Sequence, residues 1–318
     1  LLAKNSRDIK KILVVGSSNT DLIIKVPGIP RPGETILGTD FQTFPGGKGA
    51  NQAVAAARAG GDVMLIASVG DDLYGTEAVK GYREDRINCE NIKVCKNTPS
   101  GIALINVSEK GENAISVAPG ANFMLNPKDL DEAEEAFDEA GLMLIQLEIK
   151  LDTVRKAVQL CREFHTKVIL NPAPASALPE EILTGTDLIT PNETEAEYLT
   201  GIRIRSQKDA GKAAARLHGK GVGTVIITMG ARGAYLSDPG RSIAKMIPGF
   251  AVDAVDTTAA GDVFNGQLAV ALSEERSLEE AVGLAHAAAA LSIQKAGAQS
   301  SVPTREETDR FYLEMSGK

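Results

Sequence analysis

Residues Gly141–Asn171 read GLMLIQLEIKLDTVRKAVQLCREFHTKVILN. Two near-continuous apolar runs, Gly141–Glu148 and Lys167–Asn171, enclose an amphipathic stretch. Leu151, Val154, Ala157, Val158, Cys161 and Phe164 recur there at helical spacing, with charges on the other side. Apolar runs that do not alternate are expected of parallel strands covered on both faces, so the segment predicts a strand–helix–strand crossover. The same alternation extends outward. Lys11–Gly16 and Asp62–Gly70 are strand-like runs before it, and Asp187–Thr190 and Thr224–Gly230 follow it. Further helical periods run through Ala210, Ala213, Ala214 and Leu217, and from Pro127 through Leu130, Ala133 and Phe137. Such repetition predicts an α/β fold with a doubly wound, mainly parallel sheet flanked by helices.

Two stretches break the alternation. Asp21–Phe44 reads as two extended pieces, Asp21–Val26 and Thr35–Phe44, around the turn PGIPRPGE. Gly101–Val107 and Ala114–Ala118 read as two more strands joined by the polar turn Ser108–Glu112. These four strands fit no crossover unit. The expected organisation is one α/β unit over residues 1–318 with a small β-sheet lid inserted at about 21–44 and 101–118. A lid with one uncovered apolar face needs a ligand, the main sheet or a second subunit against it, and a dimer contact is expected there.

Composition narrows the function. Thirty-four basic against 42 acidic residues give a net charge of −8, which argues against nonspecific nucleic-acid binding and polybasic membrane attachment. Aromatics are 4% with no Trp, so a stacking platform for single strands is not expected. Cys89, Cys95 and Cys161 have no metal-site spacing and read as reduced thiols of a cytoplasmic protein. No apolar run reaches membrane-span length, and Leu1–Lys11 lacks a signal-peptide core. The first residue is not Met, so an upstream piece is expected to be missing. No internal repeat is visible, and the acidic run Asp131–Glu139 reads as a solvated helix face.

The strongest chemical signal is DTTAAGDVFNG at 256–266. Small residues lead into Gly261 and Asp262, and an apolar helical period starts at Val263. The amides of Ala259, Ala260 and Gly261 would then face outward at a helix N-terminus, a natural anion site. A carboxylate beside such a site suits proton removal from a hydroxyl that attacks a phosphoryl group. A plain helix-capping role for Asp262 fits the segment equally. The second signal, FPGGKGAN at 44–51, resembles a phosphate loop but fails both common patterns. Gln42 and Gly49 break the Walker A spacing, and Gln52 breaks the dinucleotide fingerprint. Lys48 and Asn51 nonetheless supply donors for hydroxyl or phosphate oxygens, and a structural glycine turn is the alternative.

GSSNTD at 16–21 follows the first strand, where α/β sheets bind ligands, and Asn19 and Asp21 carry sugar-binding chemistry or form an Asx turn. Glu148 closes a strand-like run. Asn192–Glu195 and TMGARG at 228–233 stand in the same topological position, or are only turns. His165, His218 and His286 have no metal spacing. His286, on an Ala-rich helix, could pack against a flat ligand.

With these motifs in order, GGKGANQA at 46–53 and DTTAAGDVFNG at 256–266, the chain resembles the ribokinase-like (PfkB) carbohydrate kinase family. The resemblance runs from about Lys11 to the C-terminus and includes QLE, NPAPA, TPNETEAE, HAAAA and GAQSSVP. It implies a ribokinase-like fold and transfer of the ATP γ-phosphoryl group to the 5-hydroxyl of D-ribose. It also implies Asp262 as base and Ala259, Ala260 and Gly261 as anion hole. Asn19, Asp21, Gly47, Lys48, Gly49, Asn51 and Glu148, with Asp262, would hold the sugar. Asn192, Thr228, Met229, Gly230, Ala231, Arg232, Gly233, Gly261 and His286 would line the ATP site. Asn192 and Glu195 would organise Mg²⁺ through water, and Asp256, Thr258, Ser292, Lys295, Gly297 and Ser301 would hold K⁺. The family often carries Gly where this chain has Ala259. Rival expectations are a kinase for deoxyribose or a nucleoside, or a nonenzymatic sensor on the same fold. A dinucleotide dehydrogenase is disfavoured, because no glycine fingerprint follows the first strand.

Overall fold

The computed structural model describes residues 10–317. The expectation about a leader at the start of the chain falls mostly outside them. The main sheet has nine strands. From one edge to the other they are Ile243–Ile247, Ala234–Asp238, Thr224–Thr228, Leu188–Ile189, Lys167–Leu170, Ala140–Ile145, Lys11–Val15, Val63–Gly70 and Ile92–Cys95. The last seven run parallel, and the first two are antiparallel.

Alternate residues of the central strands face opposite cores. Leu13, Val15, Met143, Ile145, Val168 and Leu170 point into one, together with the helix Leu151–Phe164. Ile12, Val14, Leu142, Leu144 and Ile169 point into the other, under the helices Lys48–Arg58, Ala260–Ser273 and Leu278–Ser292. Burial on both faces is why these strands read as unbroken apolar runs.

Several boundaries differ from the sequence expectation. The strands expected to reach Glu148, Asn171 and Gly230 end at Ile145, Leu170 and Thr228, and only Leu188–Ile189 pairs within Asp187–Thr190. Gln146 and Asn171, which follow two of these ends, are polar, and all three strands leave the ladder at the carboxyl end of the sheet. The helix expected from Pro127 is two short pieces, Pro127–Asp131 and Glu134–Glu139, whose stripe Leu130, Ala133 and Phe137 is buried as expected. The acidic side chains of residues 131–139 are exposed. Three strands escaped the sequence reading: Ile92–Cys95, Ala234–Asp238 and Ile243–Ile247. Each is four or five residues at or next to an edge of the sheet, too short for a periodic signal.

The second sheet has the order Asp40–Gly46, Asn19–Val26, Gly101–Ser108, Asn113–Ala118. Its second strand begins at Asn19, so the lid grows directly from the loop that follows Lys11–Val15. The strand expected over Thr35–Phe44 instead covers Asp40–Gly46. Its ladder with the neighbouring strand ends at the Lys25–Asp40 pair, so residues 35–38 lie outside it. The expectation of one uncovered apolar face is also corrected. Register places Ile115 and Val117 on the face that carries Asp21, and Leu104 and Phe41 on the reverse. All four are more than half exposed. Among the described residues, no helix is long and apolar enough to cross a membrane.

Candidate active site

The glycine loop positions the first part of the site. Gly47 sits at φ 88° and precedes the helix Lys48–Arg58, a conformation that glycine adopts without a Cβ penalty. A Cβ there would lie 2.6 Å from the Asn19 amide nitrogen, so the loop and the base of the lid are in close contact. Beside it, the Glu148 carboxylate accepts from Ser17 Oγ at 2.6 Å and from the Lys48 amide at 3.0 Å, with Lys48 Nζ 4.0 Å away. Asn19 Oδ1 accepts from Asn122 Nδ2 at 2.7 Å, and Asn122 Oδ1 takes the Ser18 amide at 2.8 Å. Asn122 therefore fixes the Asn19 amide with its NH₂ group left to donate.

Asp262 lies at the start of the helix Ala260–Ser273 and is 5% exposed. The helix cap is Ala259, and the Asp262 carboxylate makes no capping bond. It accepts instead from Asn51 Nδ2 at 3.0 Å and from Gln52 Nε2 at 2.9 Å. That geometry removes the plain capping alternative. Gly266 makes the approach possible, because a Cβ there would meet the Ala55 Cβ at 2.5 Å and the Gln52 carbonyl at 2.7 Å. Ala259 itself holds the left-handed conformation, φ 59°. Glycine takes that region freely, whereas an L-residue is strained there by roughly 1–2 kcal/mol, so this position stores strain beside the Asp262 helix. The Ala260 amide donates to the Thr257 carbonyl at 3.3 Å, so one of the three amides expected to cradle an anion is engaged within the loop.

A cavity of about 190 Å³ opens above this helix start. Lys48, Asn192, Glu195, Thr228, Ala259–Gly261 and Asp262 all line it, which brings together residues expected in three different roles. Asn192 and Glu195 form a capping box on the helix Glu193–Thr200: Asn192 Oδ1 accepts the Glu195 amide, and the Glu195 carboxylate accepts the Asn192 amide, each at 2.8 Å. TMGARG forms the turn of an antiparallel hairpin, with Gly230–Arg232 as a single helical turn and Gly233 at φ 91°. Arg232 pairs with Glu193. Ala231 sits at the exposed tip. The Met229 side chain is buried in the core, contrary to its expected place in the ATP lining. It follows the last strand position, Thr228, and its side chain joins the core cluster. His286 rests against Phe264, ring centroids 5.3 Å apart, with Nδ1 3.1 Å from the Pro248 carbonyl.

The loop expected to hold a monovalent ion is tied together by Asp256, which accepts from the Thr258 and Gly297 amides at 2.9 Å each. Ser292 and Ser301 bond carbonyls of their own helical turns, and the Lys295 side chain turns away to Glu307.

The electrostatics follow from burial. Asp262 is pushed upward by burial, while Lys48, Asn51 and Gln52 pull it back. Lys48 is raised, chiefly by the Asp262 charge. Asp21 is pushed up to about 6 by burial and by the Glu148 and Asp262 charges. Burial also raises Glu195 and lowers His286 to about 4, which leaves the imidazole neutral. Burial would raise Asp256, but the Thr258 and Gly297 hydrogen bonds outweigh it and hold that group low.

Sequence reasoning missed the residues that hold these groups: Gln52, Gln146, Asn171, Asn122 and Ser17. A signal existed for two of them. Gln52 lies inside GGKGANQA, and Gln146 is a polar residue ending a buried strand.

A lidded cleft at the carboxyl ends of parallel strands, with a buried carboxylate at a helix start, defines a small-molecule α/β enzyme of the phosphotransferase type. The chain belongs to the pfkB family of carbohydrate kinases, whose pattern matches residues 9–305. It is 45% identical over 302 residues to the ribokinase of Haemophilus influenzae, covering 95% of this chain and 98% of that one. It is 36% identical to the deoxyribokinase of Salmonella typhi, covering 94% and 98%. The structure of Arabidopsis thaliana ribokinase complexed with ribose and ATP superposes with a TM-score of 0.89 at 32% identity, covering 95% and 98%.

Proposed function

We propose that the protein transfers the γ-phosphoryl group of ATP to the 5-hydroxyl of D-ribose, giving D-ribose 5-phosphate and ADP. One observation carries this reading. The buried Asp262 carboxylate lines the cavity with Lys48, Asn192, Glu195 and the start of the 260–273 helix, accepts from Asn51, and faces the charges of Asp21 and Glu148 near Asn19. Amide donors hold both its oxygens in place and leave lone pairs to accept a proton. Asp262 takes the hydroxyl proton as the sugar oxygen bonds to the γ-phosphorus, and the bond to the ADP oxygen breaks with its electron pair leaving on ADP. Lys48 and the amides of Ala259 and Gly261 stabilise the charge that develops, the Ala260 amide joining them only if it leaves the Thr257 carbonyl. Gly47 and Gly49 let the loop pack directly on the backbone of residues 16–19, which holds the sugar-binding side chains together. Thr228, Gly230, Ala231, Arg232, Gly233 and neutral His286 line the nucleotide.

Among the described residues, no cluster of three or more His, Cys, Asp or Glu could cage a metal. The oxygen donors of Asn192 and Glu195 fit Mg²⁺ held through water, and that ion would neutralise phosphate charge. The all-oxygen set drawn from Asp256, Thr258, Ser292, Lys295, Gly297 and Ser301 fits K⁺, which would order the loop before Asp262. Two apolar lid faces support a homodimer through the lid. Free Cys89, Cys95 and Cys161 accord with a cytoplasmic enzyme.

The second reading, a deoxyribokinase, is favoured by the Salmonella deoxyribokinase relatives. The test combines Asp262→Asn with a panel of ribose, deoxyribose, hexoses and nucleosides. Turnover with ribose should fall roughly 10²–10⁴-fold in the variant while sugar and ATP still bind. Near-normal turnover would remove Asp262 from the mechanism, and a clear preference for another sugar or a nucleoside would replace ribose.

A further inference from the structure

Beneath the site runs a chain of buried amides. Gln146 Nε2 donates to Gln52 Oε1 at 2.5 Å, and Gln52 Nε2 donates both to Asp262 Oδ1 at 2.9 Å and to Asn171 Oδ1 at 3.0 Å. Asn171 Nδ2 in turn donates to the Thr190 carbonyl at 3.2 Å. Gln52 and Gln146 are wholly buried, and Asn171 is 6% exposed. Packing needs alone would select apolar residues at such positions.

The direction of each amide is dictated by its neighbours. A backbone carbonyl can only accept, so Thr190 fixes the NH₂ end of Asn171, and the oxygen of Asn171 then faces Gln52. Gln52 must answer with its NH₂ group, which places its oxygen toward Gln146. A flipped Gln52 would set its oxygen against both the Asn171 oxygen and the Asp262 carboxylate. Its polarity is thus determined from both ends.

We propose that Gln52 is a positioning residue for Asp262, and that Gln146 and Asn171 act through it to hold one carboxylate oxygen while Asn51 holds the other. The inference rests on Asp262 being the base. Gln52 keeps that buried group ionised and aimed, so that its free lone pair meets the hydroxyl. The other charged groups facing Asp262 are Lys48 on the same helix as Gln52, Glu148 after its strand, Glu195 on the neighbouring helix and Asp21 from the lid. None of them lies in the amide chain.

Gln52→Met keeps length and volume but cannot donate. Removing a donor from a carboxylate raises its pKa, so the acid limb of kcat should move up by about one pH unit and the plateau should fall roughly tenfold to a hundredfold. Gln146→Met should shift the same limb by less. The double variant should shift it no further than Gln52→Met alone, because Gln146 works only through Gln52. If Gln52→Met folds poorly, Gln146→Met alone still carries the pH test. A plateau loss with the limb unmoved would make Gln52 a packing residue and overturn the proposal. Additive limb shifts would overturn the role of Gln146. If Asp262→Asn retained turnover, the base assignment itself would be wrong, an outcome separate from both.

Discussion

Asp21→Asn should make the ligand-free protein more stable while impairing sugar binding. The folded protein holds the Asp21 carboxyl up to about 6 against an ordinary 3.8, through burial and the nearby Glu148 and Asp262 charges. Above pH 6 the group is ionised in both folded and unfolded chains, but the folded chain bears the cost of that charge. With ~1.36 kcal/mol per pH unit, a shift of about two units corresponds to about 3 kcal/mol of destabilisation at pH 8. A raised carboxyl pKa means that the folded state binds more protons between the two values, so stability rises as pH falls from about 6 toward 4. By pH 5 the penalty has dropped to about half, and near pH 4 little remains. The neutral amide in Asp21→Asn removes the penalty at every pH. Urea denaturation of the two proteins without ligand should therefore differ by about 3 kcal/mol at pH 8, equivalent to a Tm rise of about 4–5 °C for a chain of 318 residues, and converge near pH 4. The ribose KM should increase in the variant, since a carboxylate acceptor has been lost. A variant no more stable than the parent at pH 8, or a gain that persists undiminished at pH 4, would refute the reasoning.

Other expectations are tested more simply. Gly266→Ala should lower stability by roughly 1–3 kcal/mol, measured by chemical denaturation, because its Cβ would press on Ala55 and the Gln52 carbonyl. Its kcat should fall as well, since the two helices that join Asp262 to Gln52 are pushed apart. Asn122→Ala releases the Asn19 amide, and steady-state kinetics should show a ribose KM raised about tenfold with kcat changed less. Replacing K⁺ by Na⁺ in the assay should lower activity, and equal rates in the two salts would argue against a cation at Asp256.

The parallel sheet could be read from the chain because its central strands are buried on both sides and carry little else than apolar residues. The edge strands could not. Ile92–Cys95 and Ile243–Ile247 are short and partly exposed, so their pairing is decided by neighbours rather than by composition. Asp262, Lys48, Asn51 and Glu148 stood out because each interrupts a glycine-rich or apolar run with a reactive group. Their supports did not. Gln52 meets Gln146 and Asp262 across 94 and 210 residues, and a lone buried glutamine says nothing until those distances close. The lid strand at 40–46 shows the same limit, since its start is set by where the partner strand ends.

The strand Asn19–Val26 pairs with both of its neighbours while carrying Asn19 and Asp21 at its root. Recognition and enclosure are therefore one piece of covalent structure. If Asn19 and Asp21 hold the sugar as proposed, any movement of this strand would displace both partners together. On that reading the hydroxyl would be well placed beside bound nucleotide only with the strand seated, when solvent is also excluded. Thrift with ATP would then follow from how the strand is threaded, without a separate sensor for an empty site.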